Sequence, residues 1–588
     1  MMCGIFGYIG NKEAAPILLE GLRKLEYRGY DSAGMATLSD KIYVKKDVGR
    51  VDDIHAKLNF FDMKGKIGIA HTRWATHGRV NQINAHPHLS NNKKIAVVHN
   101  GIIENYKEIR DFLIKNGFSF YSETDTEVIP NLIEFEMKNG KDFVEACKEA
   151  FKKLEGNYAI LALHDGIKKI IAARNGSPLV IGVKETEYFA ASDIPAFLEF
   201  TPNVIYLYDK DFVVLGEEIQ IFNLQYGKVE RPIHTVEWNP EQAQKGEFDH
   251  FMMKEISEQV ETVQRAIAQD EKIIFEIAEE IKNASGVFFI ACGTSYHACL
   301  SASYLFSKIA KLHVNVVLAS EFSNYEHFLT DKTLVIAVSQ SGETIDVLDA
   351  VKTAKKKGSK VISIVNRIGS SLHMNSDKAL MMHAGPEICV VATKTYTSQL
   401  AILTLLAHAI AGNYENGRKE LKYLWNLIYH LTSASVRNHI KQLAEKLKDK
   451  QHIFLIGRGL QYPTALEAAL KIKEVSYIHA EAFAGGELKH GTIALIDKDT
   501  PCIVFTSEEN EKEIISNAME LKARGAYIIG IGSKKNEIFD FFVKVPEVGN
   551  CNPICQIIPI QILAYQLAIL RGCDPDRPRN LAKSVTVK

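Results

Sequence analysis

Phe288-Phe289-Ile290-Ala291-Cys292-Gly293-Thr294-Ser295-Tyr296 and Phe454-Leu455-Ile456-Gly457-Arg458-Gly459-Leu460-Gln461-Tyr462 are two versions of one pattern. Each is a short apolar run that ends in a glycine turn. Two further pairs keep the spacing. Val335-Ile336-Ala337-Val338-Ser339 lines up with Cys502-Ile503-Val504-Phe505-Thr506, and Val361-Ile362-Ser363-Ile364-Val365 with Ile528-Ile529-Gly530-Ile531-Gly532. The offset stays at 166 to 167 residues. A constant offset over three strands indicates two copies of one supersecondary unit. Strands alternating with helical patterns predict parallel, doubly wound α/β sheets. The copies are placed at 248–425 and 426–572, with the helical stretch around Leu421 to Leu447 between them and a tail at 573–588.

Ahead of the repeat the chain changes character. Short apolar strands such as Lys66 to Ala70, Ile95 to Val98, Tyr158 to Ala162 and Val204 to Tyr208 are punctuated by turns at Asn175-Gly176 and Tyr226-Gly227. Helical patterns run from Glu13 to Glu26 and from Asp125 to Met137. This predicts an α+β domain over 3–230 with mostly antiparallel sheets. The stretch 231–247 holds Pro232 and Pro240 without apolar periodicity and reads as a linker.

The two copies of the repeat differ where chemistry belongs. Ligands of open α/β sheets sit beyond the carboxyl ends of the strands. There copy one offers Thr294 and Ser295 after its first strand, and Ser339-Gln340-Ser341-Gly342-Glu343-Thr344 after its second. Hydroxyls and N–H groups at a helix N-terminus suit a phosphate. One such turn is as well explained by helix capping, but two in one repeat favour phosphate. Copy two offers Thr506-Ser507-Glu508-Glu509-Asn510-Glu511, whose carboxylates repel it.

Other residues stand out by type. Cys3 could carry a nucleophilic thiol and a free α-amine on one residue, the amine serving as base, if it begins the active chain. Because Met1-Met2 precedes it, the expectation is translation from Met2 with removal of that methionine. Lys471 and Glu474 share a helical face at i, i+3, where they could pair as acid–base machinery or be solvated surface. His490 lies in a loop between glycines, suited to proton shuttling or to a structural role. Lys583 is a tail amine that could form a Schiff base or simply face solvent.

Composition bounds the rest. The 588 residues are too many for one core. A formal net charge of −1 leaves no field for nucleic acid or an anionic membrane. Nine cysteines without a regular framework suit a reducing compartment, and the C-x3-C at Cys551 and Cys555 lacks a second pair, so no metal is expected. No signal peptide is read, and the apolar run Leu400 to Ile410 is too short to span a bilayer. A cytoplasmic protein is expected.

Cys3-Gly4-Ile5, Arg28 to Gly34, His71-Thr72-Arg73-Trp74-Ala75-Thr76-His77-Gly78, His99 to Asn105, Ser122 to Glu127, Ser339 to Thr344, Tyr477 to Glu481, Glu487 to Gly491 and Pro578 to Val587 together resemble the glutamine–fructose-6-phosphate aminotransferases (isomerising), over nearly the whole chain. The resemblance implies an N-terminal-nucleophile hydrolase domain, an antiparallel αββα sandwich, followed by two sugar-isomerase domains. It implies that Cys3 attacks the glutamine amide, with Asn100 and the Gly101 N–H as oxyanion hole. Arg73 and Asp125 hold the amino-acid end of glutamine, Thr76 and His77 line its pocket, and Trp74 gates the passage of ammonia. Thr294, Ser295, Ser339, Gln340, Ser341 and Thr344 hold the sugar phosphate. Lys583 forms the imine, His490 opens the ring, and Glu474 moves a proton beside Lys471. In that family His490 comes from the neighbouring subunit, so a homodimer is implied, with glutamine and fructose 6-phosphate as substrates and no cofactor. The absence of a long insertion between the halves suggests the bacterial type. Val260 stands where the family usually has proline, and Ala392 where it has serine. An amidotransferase for another substrate, or a non-catalytic sugar-phosphate sensor, are the alternatives.

Overall fold

The computed structural model describes residues 3–74, 78–236 and 244–586. The chain divides into two compact units, one of residues up to 243 together with 582–588, the other of 244–581.

In the first unit, Gly4–Ile9 lies inside an eight-stranded sheet. The order is Ile233–Thr235, Asn203–Tyr206, Val180–Lys184, Glu187–Ala191, Gly4–Ile9, Ile67–Arg73, Ser32–Leu38, Ile42–Val48, and every pairing is antiparallel. All six residues of Gly4–Ile9 are buried, because the strand is covered on both faces. Successive side chains of a strand point to opposite sides. Ile5 and Ile9 therefore join Val98, Leu161 and Val213 of a second sheet. Phe6 and Tyr8 join Leu18 and Leu22 of the helix Ala14–Leu25. The second sheet has seven strands, again antiparallel throughout, with Gly156–His164 paired to Ile95–Ile103 and to Ile167–Asn175. Its other face packs Ile95, Val97, Ile160 and Phe212 against Ile129, Leu132, Phe143 and Phe151 of the helices Val128–Lys138 and Phe143–Lys152. The layers run helix, sheet, sheet, helix, as expected. Each buried Phe, Leu or Ile contributes about 1.5–3 kcal/mol.

The helices Val51–Leu58, Tyr106–Lys115 and Phe143–Lys152 go beyond the expected two. The last carried a readable signal: Asp142 caps it by accepting the Glu145 N–H at 2.9 Å.

The second unit holds two five-stranded sheets, all parallel. One runs Asn315–Leu318, Gly286–Ala291, Thr333–Ser339, Lys360–Val365, Lys378–Met381; the other His479–Ala484, His452–Gly457, Pro501–Phe505, Tyr527–Gly532, Phe541–Lys544. In both, the first strand in sequence sits between the second and third. The repeat read from the sequence is therefore a repeat of topology. One apolar cluster joins the copies, with Ile290's neighbour Phe289, Leu400 and Leu424 in the same contact network as Leu455, Ile472 and Ile558. The helix Lys394–Ile410 is buried along its whole length. Gly549–Leu570 is long and apolar enough to cross a membrane, but 83% of its apolar 18-residue window is buried inside the protein.

Three boundaries move. Residues 231–247 are not wholly linker, since Ile233–Thr235 adds a strand to the first sheet; 237–243 lie outside the described residues. The division at 425/426 cuts the helix Tyr414–Leu431, whose apolar stripe Leu421, Leu424, Ile428 and Leu431 makes it one element. The tail is not one segment. Asp576 accepts the N–H groups of Phe251 and Met252 at 2.9 and 2.8 Å within the second unit, whereas residues from 582 group with the first.

Candidate active site

Cys3 precedes the central strand of the first unit and is half-buried. The Trp74 N–H donates to its Sγ at 3.2 Å. Asn100 Nδ2 donates to the Cys3 carbonyl at 2.8 Å, and Arg28 Nε to the same oxygen at 3.2 Å. Arg28 is itself buried against Asp193, 3.3 Å away. Burial pushes the Cys3 thiol up from its ordinary value; the Trp74 N–H and the charges of Arg73 and Arg28 pull it back.

Asn100 and Gly101 lie near the end of strand Ile95–Ile103, paired with Ala159 and Tyr158. Gly101 has φ +121°, and a Cβ there would meet the Asn157 carbonyl oxygen at 1.9 Å, so the position requires glycine. Arg73 closes strand Ile67–Arg73, buried, with its guanidinium donating to the carbonyls of Arg79 and Gly78 at 3.3 Å each. Burial lowers its pKa, and Cys3, Asp31, Asp125 and Glu123 push the other way. Asp125 accepts the Ile103 N–H at 2.8 Å, which fixes it beside the Asn100–Gly101 segment. The Cys3 sulfur, the Asn100 amide and the Arg73 guanidinium, with Asp125 near enough to influence its charge, thus stand at neighbouring ends of the strands Gly4–Ile9, Ile67–Arg73 and Ile95–Ile103. Trp74 is half-buried, edge-on to Tyr30 with ring centroids 5.5 Å apart.

In the second unit, Thr294–Ser295 and Ser339–Thr344 follow the two adjacent strands from which the chain departs in opposite directions, the switch point where such sheets bind ligands. Ser295, Ser339 and Ser341 are buried. Ser339 Oγ accepts the Gly342 N–H at 3.1 Å and lies 3.4 Å from Thr344 Oγ1; Ser341 Oγ accepts the Glu343 N–H at 3.2 Å. Gly342 has φ +66°, and its missing Cβ would strike Ser370 Oγ at 2.1 Å. The turn therefore requires glycine at 342. Gln340 is half-buried in the same turn.

Lys471 and Glu474 come from the helix Gln461–Ser476 of the other copy. Lys471 Nζ, without solvent exposure, lies 2.7 Å from Glu474 and 3.2 Å from Glu467, and donates to Thr294 Oγ1 at 2.9 Å and the Ala392 carbonyl at 3.2 Å. Glu467, equally buried, also accepts from Thr294 Oγ1 at 3.0 Å and meets His297 Nδ1 at 2.8 Å. Burial alone would favour the neutral forms of both. The opposing charges outweigh it, holding Glu467 below and Lys471 above the ordinary value. At the matching place in copy two, a cavity of about 410 Å³ is lined by Lys308, Gln461, Ser507, Glu508, Glu509 and Glu547. Three carboxylates face one amine, Lys308, which lies 2.6 Å from Glu509.

The comparisons with known proteins agree with this geometry. The glutamine amidotransferase domain model matches residues 71–199, and the SIS domain model matches 280–409 and 446–571. The chain is 47% identical to a glutamine–fructose-6-phosphate aminotransferase (isomerizing) of Thermococcus kodakarensis and 44% identical to one of Clostridium perfringens, covering all of each chain. This chain belongs to the glutamine–fructose-6-phosphate aminotransferase family. The C-terminal domain of the aminotransferase from Francisella tularensis superposes with a TM-score of 0.53 at 35% identity, covering 57% of this chain and 99% of that one.

Among the aminotransferase residues named from sequence, Thr76 and His77 lie outside the described residues. His490 ends the short helix Gly485–His490 and is exposed. Lys583 is half-buried in the tail that groups with the first unit. Three residues were missed: Glu467, His297, and Gln399, whose Nε2 donates to Ser295 Oγ at 3.0 Å. Glu467 completes an i, i+4, i+7 stripe with Lys471 and Glu474, which the sequence does display. His297 and Gln399 act across elements and leave no local signal. The two departures from the aminotransferase pattern are accommodated. Ala392 contributes its carbonyl to Lys471. Val260 sits in the first turn of the helix Gln259–Ala266, where an N–H lacks an intrahelical acceptor, a place that tolerates proline but does not require it.

Proposed function

We propose that the protein converts fructose 6-phosphate and glutamine to glucosamine 6-phosphate and glutamate. The observation that carries the reading is the pairing of two sites in one chain: Cys3 with Asn100 in the first unit, and buried Lys471 joined to Thr294 and Glu474 in the second.

Cys3 Sγ attacks the glutamine side-chain carbonyl, the thiol proton passes to the departing nitrogen, and ammonia leaves. Water then hydrolyses the thioester to glutamate. Asn100 Nδ2 has a second N–H beyond the one on the Cys3 carbonyl, and with the Gly101 N–H it receives the oxyanion. Arg73 takes the glutamine α-carboxylate and Asp125 its ammonium; Thr76 and His77 complete the pocket. Ammonia is a nucleophile only while unprotonated, so it reaches the sugar out of contact with bulk water, with Trp74 beside the sulfur as the gate.

The sugar phosphate sits on Ser295, Ser339, Gln340, Ser341 and Thr344, near Thr294. Lys583 condenses with C2 of the open-chain ketose, releasing water; ammonia replaces the lysine amine at C2. Glu474 then carries the proton from C1 to C2, and Lys471 holds its carboxylate in place. Exposure of His490 supports its serving a neighbouring subunit in a homodimer, where it opens the sugar ring. The decisive experiment incubates purified protein with glutamine and fructose 6-phosphate and detects the amino sugar. Glutamate release without amino sugar would reject the assignment.

A further inference from the structure

We propose that His71 is a positioning residue for the glutaminase reaction: its Nε2–H anchors the side-chain oxygen of Asn100 and so turns the amide N–H groups toward Cys3. The inference rests on the reading of Asn100 as oxyanion donor.

His71 stands in the strand Ile67–Arg73, across from Ile5 and Gly34, with no solvent exposure. Its Nε2 lies 3.0 Å from the His99 carbonyl oxygen and 3.1 Å from Asn100 Oδ1. A carbonyl can only accept, so Nε2 carries the hydrogen. Asn100 Nδ2 lies 2.8 Å from another carbonyl, that of Cys3, so the nitrogen of the amide faces the Cys3 backbone. The two ends of the amide are thus fixed independently and agree. Rotating it by half a turn would set two donors face to face at His71 and two acceptors face to face at Cys3.

The surroundings hold the imidazole to that task. His86 lies against it with ring centroids 4.0 Å apart, and His88 packs on His86 at 4.7 Å. Thr126 Oγ1 joins His86 Nε2 at 3.1 Å and His99 Nδ1 at 3.0 Å; Thr124 Oγ1 joins His88 Nε2 at 3.1 Å. Burial first, then its cationic and imidazole neighbours, pushes His71 down to about 3, and the hydrogen bonds to His99 and Asn100 offset this in part. A neutral ring with one N–H has a single tautomer compatible with the His99 carbonyl. The segment Ser122 to Thr126 thereby supports the oxyanion donor through two layers of side chains.

Without the His71 donor only the Cys3 carbonyl orients the Asn100 amide, and the flipped form, whose oxygen faces the developing oxyanion, gains population. The test compares His71→Phe and His71→Gln with Asn100→Ala in the full chain. We expect His71→Phe to lower glutaminase kcat by about 100-fold, the scale of one oxyanion donor, with glutamine KM within twofold and ammonium-driven amino-sugar synthesis unchanged. His71→Gln, which keeps an N–H donor, recovers most of kcat. The γ-aldehyde of glutamate, which adds the Cys3 thiol across its carbonyl, should lose affinity in parallel with kcat, while glutamate binding stays. Adding His71→Phe to Asn100→Ala should cost less than a further twofold. An unchanged kcat in His71→Phe, or equal loss of glutamate and aldehyde binding, overturns the inference. Full activity in Asn100→Ala instead rejects the oxyanion assignment on which it stands. If His71→Phe does not fold, His71→Asn, polar but too short to reach Asn100, must show the same loss of kcat.

Discussion

The Trp74 N–H and the Cys3 Sγ meet at 3.2 Å, so the residue that closes one side of the nucleophile also touches it through the backbone. The same strand end carries Arg73, and Thr72 Oγ1 accepts the Gly4 N–H at 3.2 Å. Cys3 and Arg73, the proposed nucleophile and glutamine-binding arginine, are therefore held by one pair of strands, in register Gly4 to Thr72. Any shift of one displaces the other.

Replacing Cys3 by Ala should abolish glutamine-dependent synthesis and leave synthesis from high ammonium. Apart from Lys583, whose tail groups with the first unit, the two sets of residues belong to separate compact units, each with its own core. The check is amino-sugar formation with each nitrogen source. Loss of both in a folded variant would contradict separable sites.

Borohydride added with fructose 6-phosphate should trap the sugar on Lys583, since an imine is reduced to a stable secondary amine. Peptide mapping locates the adduct. An adduct on Lys471 would reassign the amine.

Ser341→Asp should weaken sugar-phosphate binding severely, by setting a carboxylate against the phosphate. Ser507→Asp, in the acidic cavity of the other copy, should change it by less than twofold. Equal effects in a binding titration would refute the asymmetry between the copies.

How much of this was legible is uneven. The two parallel sheets were readable because Phe288 to Ala291 and Phe454 to Gly457 are buried on both faces and hence continuously apolar. The helices Val51–Leu58 and Tyr106–Lys115 were not, because their exposed faces dilute a short apolar stripe. Copy one's hydroxyl turns were plain in the sequence. Glu467 was overlooked because a buried carboxylate is recognised by its partners, and two of them, Thr294 and His297, come from 170 residues or more away.

Glu467→Leu should destabilise the second unit by about 3–5 kcal/mol, the cost of leaving a buried charge without its partner, because Lys471 and His297 both lose their acceptor. Denaturant unfolding monitored by ammonium-driven synthesis measures it. Unaltered stability would mean that Glu474 alone suffices for Lys471.

Acid should weaken the first unit before the second. His71, His86 and His88 are all held below the ordinary imidazole value, chiefly by burial. The unfolded chain then binds more protons below about pH 6.5, so stability is full above that pH and falls as pH drops, by about 2 kcal/mol at pH 5 for His71, with His86 and His88 acting in the same direction. The denaturant midpoint for losing glutaminase activity should fall more between pH 7.5 and pH 5 than that for losing ammonium-driven synthesis. Parallel shifts would refute it.

Thr294 from one copy of the repeat and Lys471 from the other share a hydrogen bond of 2.9 Å. Thr294 also donates to Glu467 at 3.0 Å, so the two copies share one buried polar cluster. Deleting either copy would strip the other of hydrogen-bond partners that it cannot replace from within, so the repeat is symmetric in topology but its halves are not interchangeable.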